Sequence, residues 1–464
     1  MTAPTARVAP GLLLALFATA QLMLVLDVTV VNVALPDIGL DLGLSRGEVP
    51  WVMTTYTLCF GGLMLSGGRI ADQLGPRRMA IAGLAAFIAS SALCGLAQNA
   101  PALLTGRALQ GISAAVLSPA ALAAALTVYP AERRQQAMSV WAALAGTGSA
   151  LGVILGGVLT AETSWRWVFG INVPIGLALL VAIPALAPAS ATTAPRRTID
   201  LPGAVLITGA TAGAIYGLIT AGTDGWSSAH VWLAFAAAAL LVGAFVRMES
   251  SVKEPLLEIA MFTRRPVIAG AVLMLSATGL LVGAFFLGSF TLQHAHHASA
   301  LRTGLLFLPA ALATVTGAHL GGELLGHVRA NVVAPVGFAL AAAGYAAPAL
   351  FDGAAPLVLG LAVASGGVGT LFITAFTAAL GDAAPAEAGL RSAVVNTFHE
   401  LGGAAGVAVL STAAGSALVA AHAVAADFSH PFAVGAIVAV VSSVVAVVLV
   451  PAVLRPAGTG GMHH

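Results

Sequence analysis

Polar positions in this 464-residue chain fall into short clusters between long apolar runs, each close to the ~20 residues a helix needs to cross a bilayer. Read with that window, the pattern predicts crossings at roughly 11–36, 50–68, 79–98, 101–126, 137–160 and 167–187, then 202–222 and 230–247. Six more follow at roughly 266–292, 304–321, 331–350, 355–380, 392–420 and 432–454, so the spans group as six, two and six. The runs are continuous rather than alternating, which favours helices over barrel strands. A helix also closes its own backbone hydrogen bonds where lipid offers none. Arg7 ahead of an apolar stretch could open a cleaved signal, but the run continues to Pro36 without a small-residue cleavage site and reads as a retained first span. No connector is long enough for a soluble domain, and the most polar, 189–200, reads as a linker.

Composition sharpens this picture. The chain is 59% hydrophobic and 8% charged, against roughly a quarter charged in soluble domains, which excludes a water-soluble fold. Its 53 glycines suit helices that approach closely in lipid. Cys59 and Cys94 both lie in apolar runs and read as packing residues. The net charge of +1 says little about partners, and nothing points to nucleic acid. The placement of the charges says more. With the N-terminus inside, only Arg46, Arg166 and Arg302 fall on the outer side and Arg107 within a span, while the rest of the 19 basic residues lie on the cytoplasmic side. That asymmetry is expected of cytoplasmic loops and supports fourteen spans with both termini in the cytoplasm of a cell whose inner membrane holds the chain. The expected division is a cytoplasmic segment 1–10, a six-helix bundle 11–190, a linker with two inserted spans 191–250, a second bundle 251–455 and a tail 456–464.

Asp27 carries the most information, because a carboxylate in the hydrocarbon region costs about 2.5–3.5 kcal/mol or more. It lies roughly 13 Å below the outer end of span 1 near Pro36, at 1.5 Å per residue. By the same rise, Arg107 and Gln110 of span 4 sit roughly 9 and 13 Å below that face. They are three residues apart and share a helix face, so a polar cluster of Asp27, Arg107 and Gln110 is expected. Burial raises a carboxylate pKa and a nearby cation lowers it. A change of access or partner would then switch protonation, as a proton-coupling site requires; a fixed structural ion pair is the alternative. Glu400 is the second carboxylate at membrane depth, with Asn396 one turn earlier and His399 adjacent on another face. It reads as a second proton site, a cation-binding acid or an interhelical polar contact. His294, His296 and His297 lie in one short loop and lack the convergent spacing of a metal site, so no metal is expected.

Several segments resemble a known family. Gly68-Arg69-Ile70-Ala71-Asp72-Gln73-Leu74-Gly75-Pro76-Arg77-Arg78 resembles the G-x-L-A-D-x-x-G-R-R/K loop between spans 2 and 3 of the major facilitator superfamily, with Pro76 at an often basic position. The resemblance implies a gating role for Gly68, Asp72, Gly75 and Arg77. Leu26-Asp27-Val28-Thr29-Val30-Val31-Asn32-Val33-Ala34-Leu35-Pro36 is similar to the L-D-x-T-V-x-N-V-A-L-P signature of the fourteen-span drug:proton antiporter branch. Arg107-Ala108-Leu109-Gln110-Gly111 resembles that family's R-x-x-Q-G motif, whose arginine is associated with proton coupling. Trp165-Arg166-Trp167-Val168-Phe169 with Ile171-Asn172-Val173-Pro174-Ile175-Gly176 is similar to the branch's entry to span 6. Gly148, Gly152, Gly156 and Gly157 of span 5 resemble the antiporter signature G-x-x-x-G-P-x-x-G-G, with Val153 in place of proline. Tight helix packing is their plain reading. The resemblance implies an all-α integral membrane protein of two pseudo-symmetric six-helix bundles plus two inserted helices, a central cavity and alternating access.

An ATP-driven pump would need a phosphate-cradling G-x-x-x-x-G-K-[ST] loop. The only lysine, Lys253, precedes Glu254 and forms no such loop. One proton falling through about 100 mV and one pH unit releases roughly 3.7 kcal/mol, enough to hold a several-hundredfold solute ratio. The expectation is therefore a transporter, not an enzyme, that uses the proton gradient without a cofactor and acts as a monomer to export amphipathic drug or antibiotic molecules. Asn32, Tyr56 and Glu400 are candidate cavity contacts. Export or symport of one defined metabolite is the sister reading, and a non-transporting receptor or scaffold is the reading from another class.

Overall fold

The computed structural model describes residues 10–128, 144, 148, 151–186, 201–251, 264–381, 383, 385–420 and 423–452. Among them the regular structure is helical: α1 (Pro10–Asp41), α2 (Val49–Leu74), α3 (Pro76–Gly95), α4 (Ala100–Val128), α5 (Leu151–Glu162), α6 (Arg166–Gly170) and α7 (Asn172–Leu186). Then come α8 (Leu201–Asp224), α9 (Ala229–Glu249), α10 (Arg265–Phe290), α11 (Ala300–Leu324), α12 (Ala330–Leu350), α13 (Ala354–Leu380), α14 (Pro385–Ala414) and α15 (Ala425–Leu449). Twelve segments, with α6 and α7 counted as one, are long and apolar enough to cross a membrane. The chain is thus a multi-pass membrane protein. Helix α2 is as long but diluted by Thr54, Thr55 and Thr57. The linker 189–200, the first part of the fifth expected span and the basic residues Arg133, Arg134, Arg196, Arg197 and Lys253 lie outside the described residues.

The helices outrun several apolar windows. α1 continues through Pro36 to Asp41, where the window had stopped at the proline. Proline removes a single backbone donor and does not by itself end a membrane helix when neighbours support the chain. α15 runs from Ala425 to Leu449, earlier at both ends than the expected 432–454; at its C-terminal end Pro451 disfavours helical geometry at Val450. The expected loop 68–78 needs a larger correction. Gly68 and Asp72 belong to the last turns of α2, Arg77 to the first turn of α3, and only Gly75 separates the two helices. Its φ of 97° lies in the left-handed region that glycine enters without steric cost.

Helices α1–α7 pack into one group, with α4 central to α1, α2 and α3. Helices α10–α15 pack into a second, organised on α13 and α10. The pair α8–α9 stands apart: α9 packs on α8, and α8 lies along both α2 and α14, bridging the groups. Leu58, Ile215, Ile219, Leu401, Ala404 and Ala408 form the apolar core of that bridge. Thr412 Oγ1 donates to the Leu218 carbonyl at 2.7 Å, and the Arg46 guanidinium bonds the Thr223 carbonyl. At the end where α1 meets α2, here the upper end, the groups also meet directly. Gln293 Nε2 donates to the Val33 carbonyl at 2.8 Å. Outward-facing leucines, valines and tryptophans, such as Trp232 and Leu240 of α9, clothe the outside, the apolar surface a lipid environment solvates.

Close backbone approach holds the second group together. A Cβ on Gly317 of α11 would stand 2.0 Å from the Gly366 carbonyl oxygen of α13. Gly243 of α9 has nothing within 4 Å of the same position. Gly317→Leu is therefore expected to destabilise the purified protein by about 1–3 kcal/mol or more through overpacking, read as a lowered Tm in detergent, while Gly243→Leu leaves Tm unchanged.

Candidate functional site

Helix α1 delivers Asp27 into the interior of the first group, and α4 delivers Arg107 and Gln110 to meet it. All three side chains are buried, with exposures of 1%, 0% and 0%. Arg107 Nη1 pairs with Asp27 Oδ2 and donates to Gln110 Oε1 at 2.9 Å. Gln110 Nε2 donates to Asp27 Oδ1 at 3.1 Å and to Ser91 Oγ of α3 at 2.8 Å. Arg107 Nε donates to the Val52 carbonyl of α2 at 2.8 Å. The guanidinium also lies over the Tyr56 ring, 4.4 Å from its centroid, and 5.7 Å from that of Phe169. One cation is thus held by a carboxylate, an amide, a backbone carbonyl and two π faces. Coulomb attraction and charge-assisted hydrogen bonds in a low-dielectric interior offset the desolvation of both ions.

The local sequence explains why these side chains reach each other. Gly111 lies beside Gln110, and a Cβ there would stand 2.4 Å from the Tyr56 carbonyl oxygen. Only glycine lets α4 press onto α2 closely enough for Arg107 to reach Val52. Helix α5 places α1: Cβ atoms on its Gly152 and Gly156 would strike Thr29 and Val30, and one on Gly148, ahead of α5 in the chain, would strike Val25, the turns that flank Asp27. Gly157 faces the other way, 2.8 Å from the Ala300 carbonyl oxygen by the same measure, and so seats α5 on α11 of the second group. Val153 keeps this stripe helical where a proline would have removed a donor.

Some members of the site were not read from the sequence. Ser91, Cys94 and Asn172 close the network behind Gln110: Cys94 Sγ lies 3.3 Å from Gln110 Oε1, and Asn172 Nδ2 3.4 Å from Ser91 Oγ. Small polar residues in apolar helices are common, so only their convergence marks them. The Trp165–Phe169 segment acts at the upper end, where Arg166 Nη1 pairs with Asp41 at 2.7 Å and Trp165 Nε1 donates to the same carboxylate at 3.0 Å. Arg166 Nη2 reaches the Ala97 carbonyl at 3.1 Å, so α6 is tied to both α1 and the end of α3.

The remaining expected site residues are dispersed. Tyr56 and Asn32 are buried, at 0% and 3% exposure, so they pack rather than line open space. Asn32 Nδ2 donates to the Val28 carbonyl of its own helix at 3.2 Å. Arg77 Nη2 donates to the Pro184 carbonyl of α7 at 2.8 Å, linking the α2–α3 junction to the end of α7. A Cβ on Gly68 would meet Pro119 of α4 at 3.6 Å, an ordinary contact. Glu400 lies on α14 against α2, where a Cβ on Gly61 would stand 2.7 Å from the Glu400 Cβ. It is half-buried, and Asn396 does not reach it, donating instead to the Ser392 carbonyl at 3.0 Å. His399 turns to α10, with Nδ1 2.9 Å from Thr278 Oγ1.

The sequence matches the family model described as Major Facilitator Superfamily over residues 17–407. It is 36% identical to the puromycin resistance protein pur8 of Streptomyces alboniger over 416 residues, covering 86% of this chain and 81% of that protein. It is also 36% identical to the cephamycin export protein CmcT of Amycolatopsis lactamdurans over 474 residues, covering 100% and 96%. In three dimensions it superposes with a TM-score of 0.69 on a bacterial homolog of the human lysosomal transporter Spinster, at 15% identity, covering 95% of this chain and 97% of that one. Since the family match takes in every helix that builds the buried Asp27–Arg107–Gln110 cluster, the chain belongs to the Major Facilitator Superfamily of membrane transporters.

Proposed function

We propose that the protein exports drug-like or antibiotic molecules across the bacterial cytoplasmic membrane in exchange for protons, by alternating access between two six-helix bundles. The observation that carries this reading is the sealed Asp27–Arg107–Gln110 cluster. A carboxylate at membrane depth is unfavourable unless its charge is matched, and here the match comes from α4 while the acid comes from α1. Relative movement of the two helices changes Asp27's partner, and a carboxylate that loses its cation in an apolar interior takes up a proton. Restoring the pair expels it.

The relatives support the direction and the cargo. Proteins named for puromycin resistance and cephamycin export share about a third of the sequence over most of their length. In this reading α2 and α5 also cross the bilayer, giving fourteen spans with both termini cytoplasmic and the upper end outside. α8 and α9 are then the inserted pair between the bundles 11–190 and 251–455. The α2–α3 junction, with Gly68, Asp72, Gly75 and Arg77, works at the cytoplasmic gate, where Arg77 latches α3 to α7. The glycine face of α5 lets the bundles close at the outer end, and Glu400 is the second acid of the transport path. The chain acts as a monomer.

Inverted membrane vesicles test the reading. Protein-dependent accumulation of an antibiotic should require an imposed proton gradient, and a protonophore should collapse it. Asp27→Asn keeps the size and polarity of the side chain but cannot change charge, so gradient-driven accumulation is expected to fall to the level of empty vesicles. Full accumulation by that variant would remove Asp27 from the mechanism. Arg107→Lys keeps the charge but loses the fork that spans Val52, Gln110 and Asp27. It is expected to cut the initial rate by about tenfold or more, the effect of a loss of at least ~1.4 kcal/mol.

A further inference from the structure

Gln110 stands between the two ions of the cluster with every hydrogen-bonding position of its carboxamide taken. Its Oε1 accepts from Arg107 Nη1 at 2.9 Å and faces the Cys94 thiol at 3.3 Å. Its Nε2 gives one hydrogen to Asp27 Oδ1 at 3.1 Å and the other to Ser91 Oγ at 2.8 Å. A carboxamide has two donors and two acceptor sites, so none is left over. Arginine can only donate, which puts the oxygen of Gln110 on the arginine side and its amino group on the carboxylate. Both oxygens of Asp27 thus meet donors, Oδ1 from Gln110 and Oδ2 from Arg107. That arrangement suits the ionised acid. A protonated Asp27 is a poorer acceptor, and its O–H directed at Gln110 would meet another donor. Only a turned-over amide would receive it, and turning over sets the amino group against the guanidinium. The residues that hold the amide come from α3. Ser91 and Cys94 are fully buried and three apart, on one face of that helix. Gly106 lets α4 approach them, since a Cβ there would stand 2.5 Å from Cys94 Sγ. Asn172 Nδ2 of α7 lies 3.4 Å from Ser91 Oγ, so that oxygen faces two donors.

We propose that Ser91 is a positioning residue for proton coupling: by holding the second amide hydrogen of Gln110 it keeps the amino group on Asp27, so the closed cluster accepts the carboxylate and rejects the carboxylic acid. Asp27 then takes up a proton only after it has left Gln110. The proposal rests on the proton-exchange reading above and deepens it, because it names what stops the acid from titrating while the cluster is closed. Few other charged or titratable groups face Asp27. Arg107 of α4 pairs with it, Tyr56 of α2 lies under the guanidinium with Cys59 one turn further on, and Cys94 of α3 stands behind Gln110. The charge of Glu400 on α14 reaches Tyr56. Among the described residues α7 carries no charge, and α5 and α10 carry Glu162 and Arg265 only at their ends. Arg166 of α6 is engaged by Asp41, and α11 has Arg302, His319 and Glu323 near its ends.

Infrared titration of the purified full-length protein in liposomes tests this, read through the carboxylic-acid C=O band that Asp27→Asn removes. Ser91→Ala takes away the acceptor that orients Gln110, and with it part of the preference for the ionised acid. The midpoint of the Asp27 band is therefore expected to move to higher pH, by about tenfold in proton concentration. Ser91→Thr keeps the hydroxyl and is expected to titrate as the wild type does. Ser91→Cys puts a weak sulfur acceptor in nearly the same volume; it stands in for Ser91→Ala if that variant does not fold, with a shift in the same direction. An unchanged midpoint in Ser91→Ala, or in Ser91→Cys where it stands in, overturns the proposal. So does a shift to lower pH, or an equal shift in Ser91→Thr. A wild-type protein with no Asp27-dependent band at any pH overturns the proton-exchange reading itself, so the two failures are distinguishable.

Discussion

A single buried ion pair sets the terms for the first half of this molecule. Arg107 and Asp27 come from different helices, and neither charge would be tolerated at that depth alone. Most of their polar atoms are met by neighbours, although Arg107 Nη2 is left without a hydrogen-bond partner. Gln110 bonds both ions at once and is itself held by Ser91, while Val52 and Tyr56 take the sides of the guanidinium that the carboxylate leaves free. Glycines then set the spacing, Gly111 for α4 on α2 and the α5 stripe for α1. The acid comes from α1 and its cation from α4, so the pair bridges two helices.

The second half is built on a different balance. Its helices are joined mainly by backbone-to-backbone approach at glycines such as Gly317 and Gly366, and its middle carries almost no charge. Lipid gives helices no hydrophobic reason to associate, so small residues and van der Waals contact do that work. Glu400 is the conspicuous exception. The second group thus holds one half-buried carboxylate, where the first holds a closed ion pair. Helix α8, lying across α2 and α14, ties the two groups along one side of that seam.

Much of this was legible in the sequence. Continuous apolar runs dictate membrane helices because an unpaired backbone is prohibitive in lipid, and that constraint does not depend on tertiary context. Depth is also readable, since a helix rises a fixed 1.5 Å per residue; this is why Asp27, Arg107 and Gln110 could be expected at comparable levels, and they lie in contact. Helix ends were read less well. An apolar window registers where lipid stops rather than where hydrogen bonding stops, so it missed the passage of α1 through Pro36 and turned the junction at Gly75 into a loop.

Rotation about each helix axis, and which helix lies beside which, had to come from the tertiary structure. Asn32 shares a helix with Asp27 yet bonds only its own backbone carbonyl, and Asn396 sits one turn from Glu400 without reaching it. Ser91, Cys94 and Asn172 carry no local mark that sets them apart from other small polar residues, and they become a network only when α3, α4 and α7 converge. The sequence by itself determined that this chain lives in a membrane and at what depth its charges lie, because transfer energies and helical rise are local properties. Which charges are closed and which stay open was decided by packing alone, since a neighbour's identity depends on residues distant in the chain.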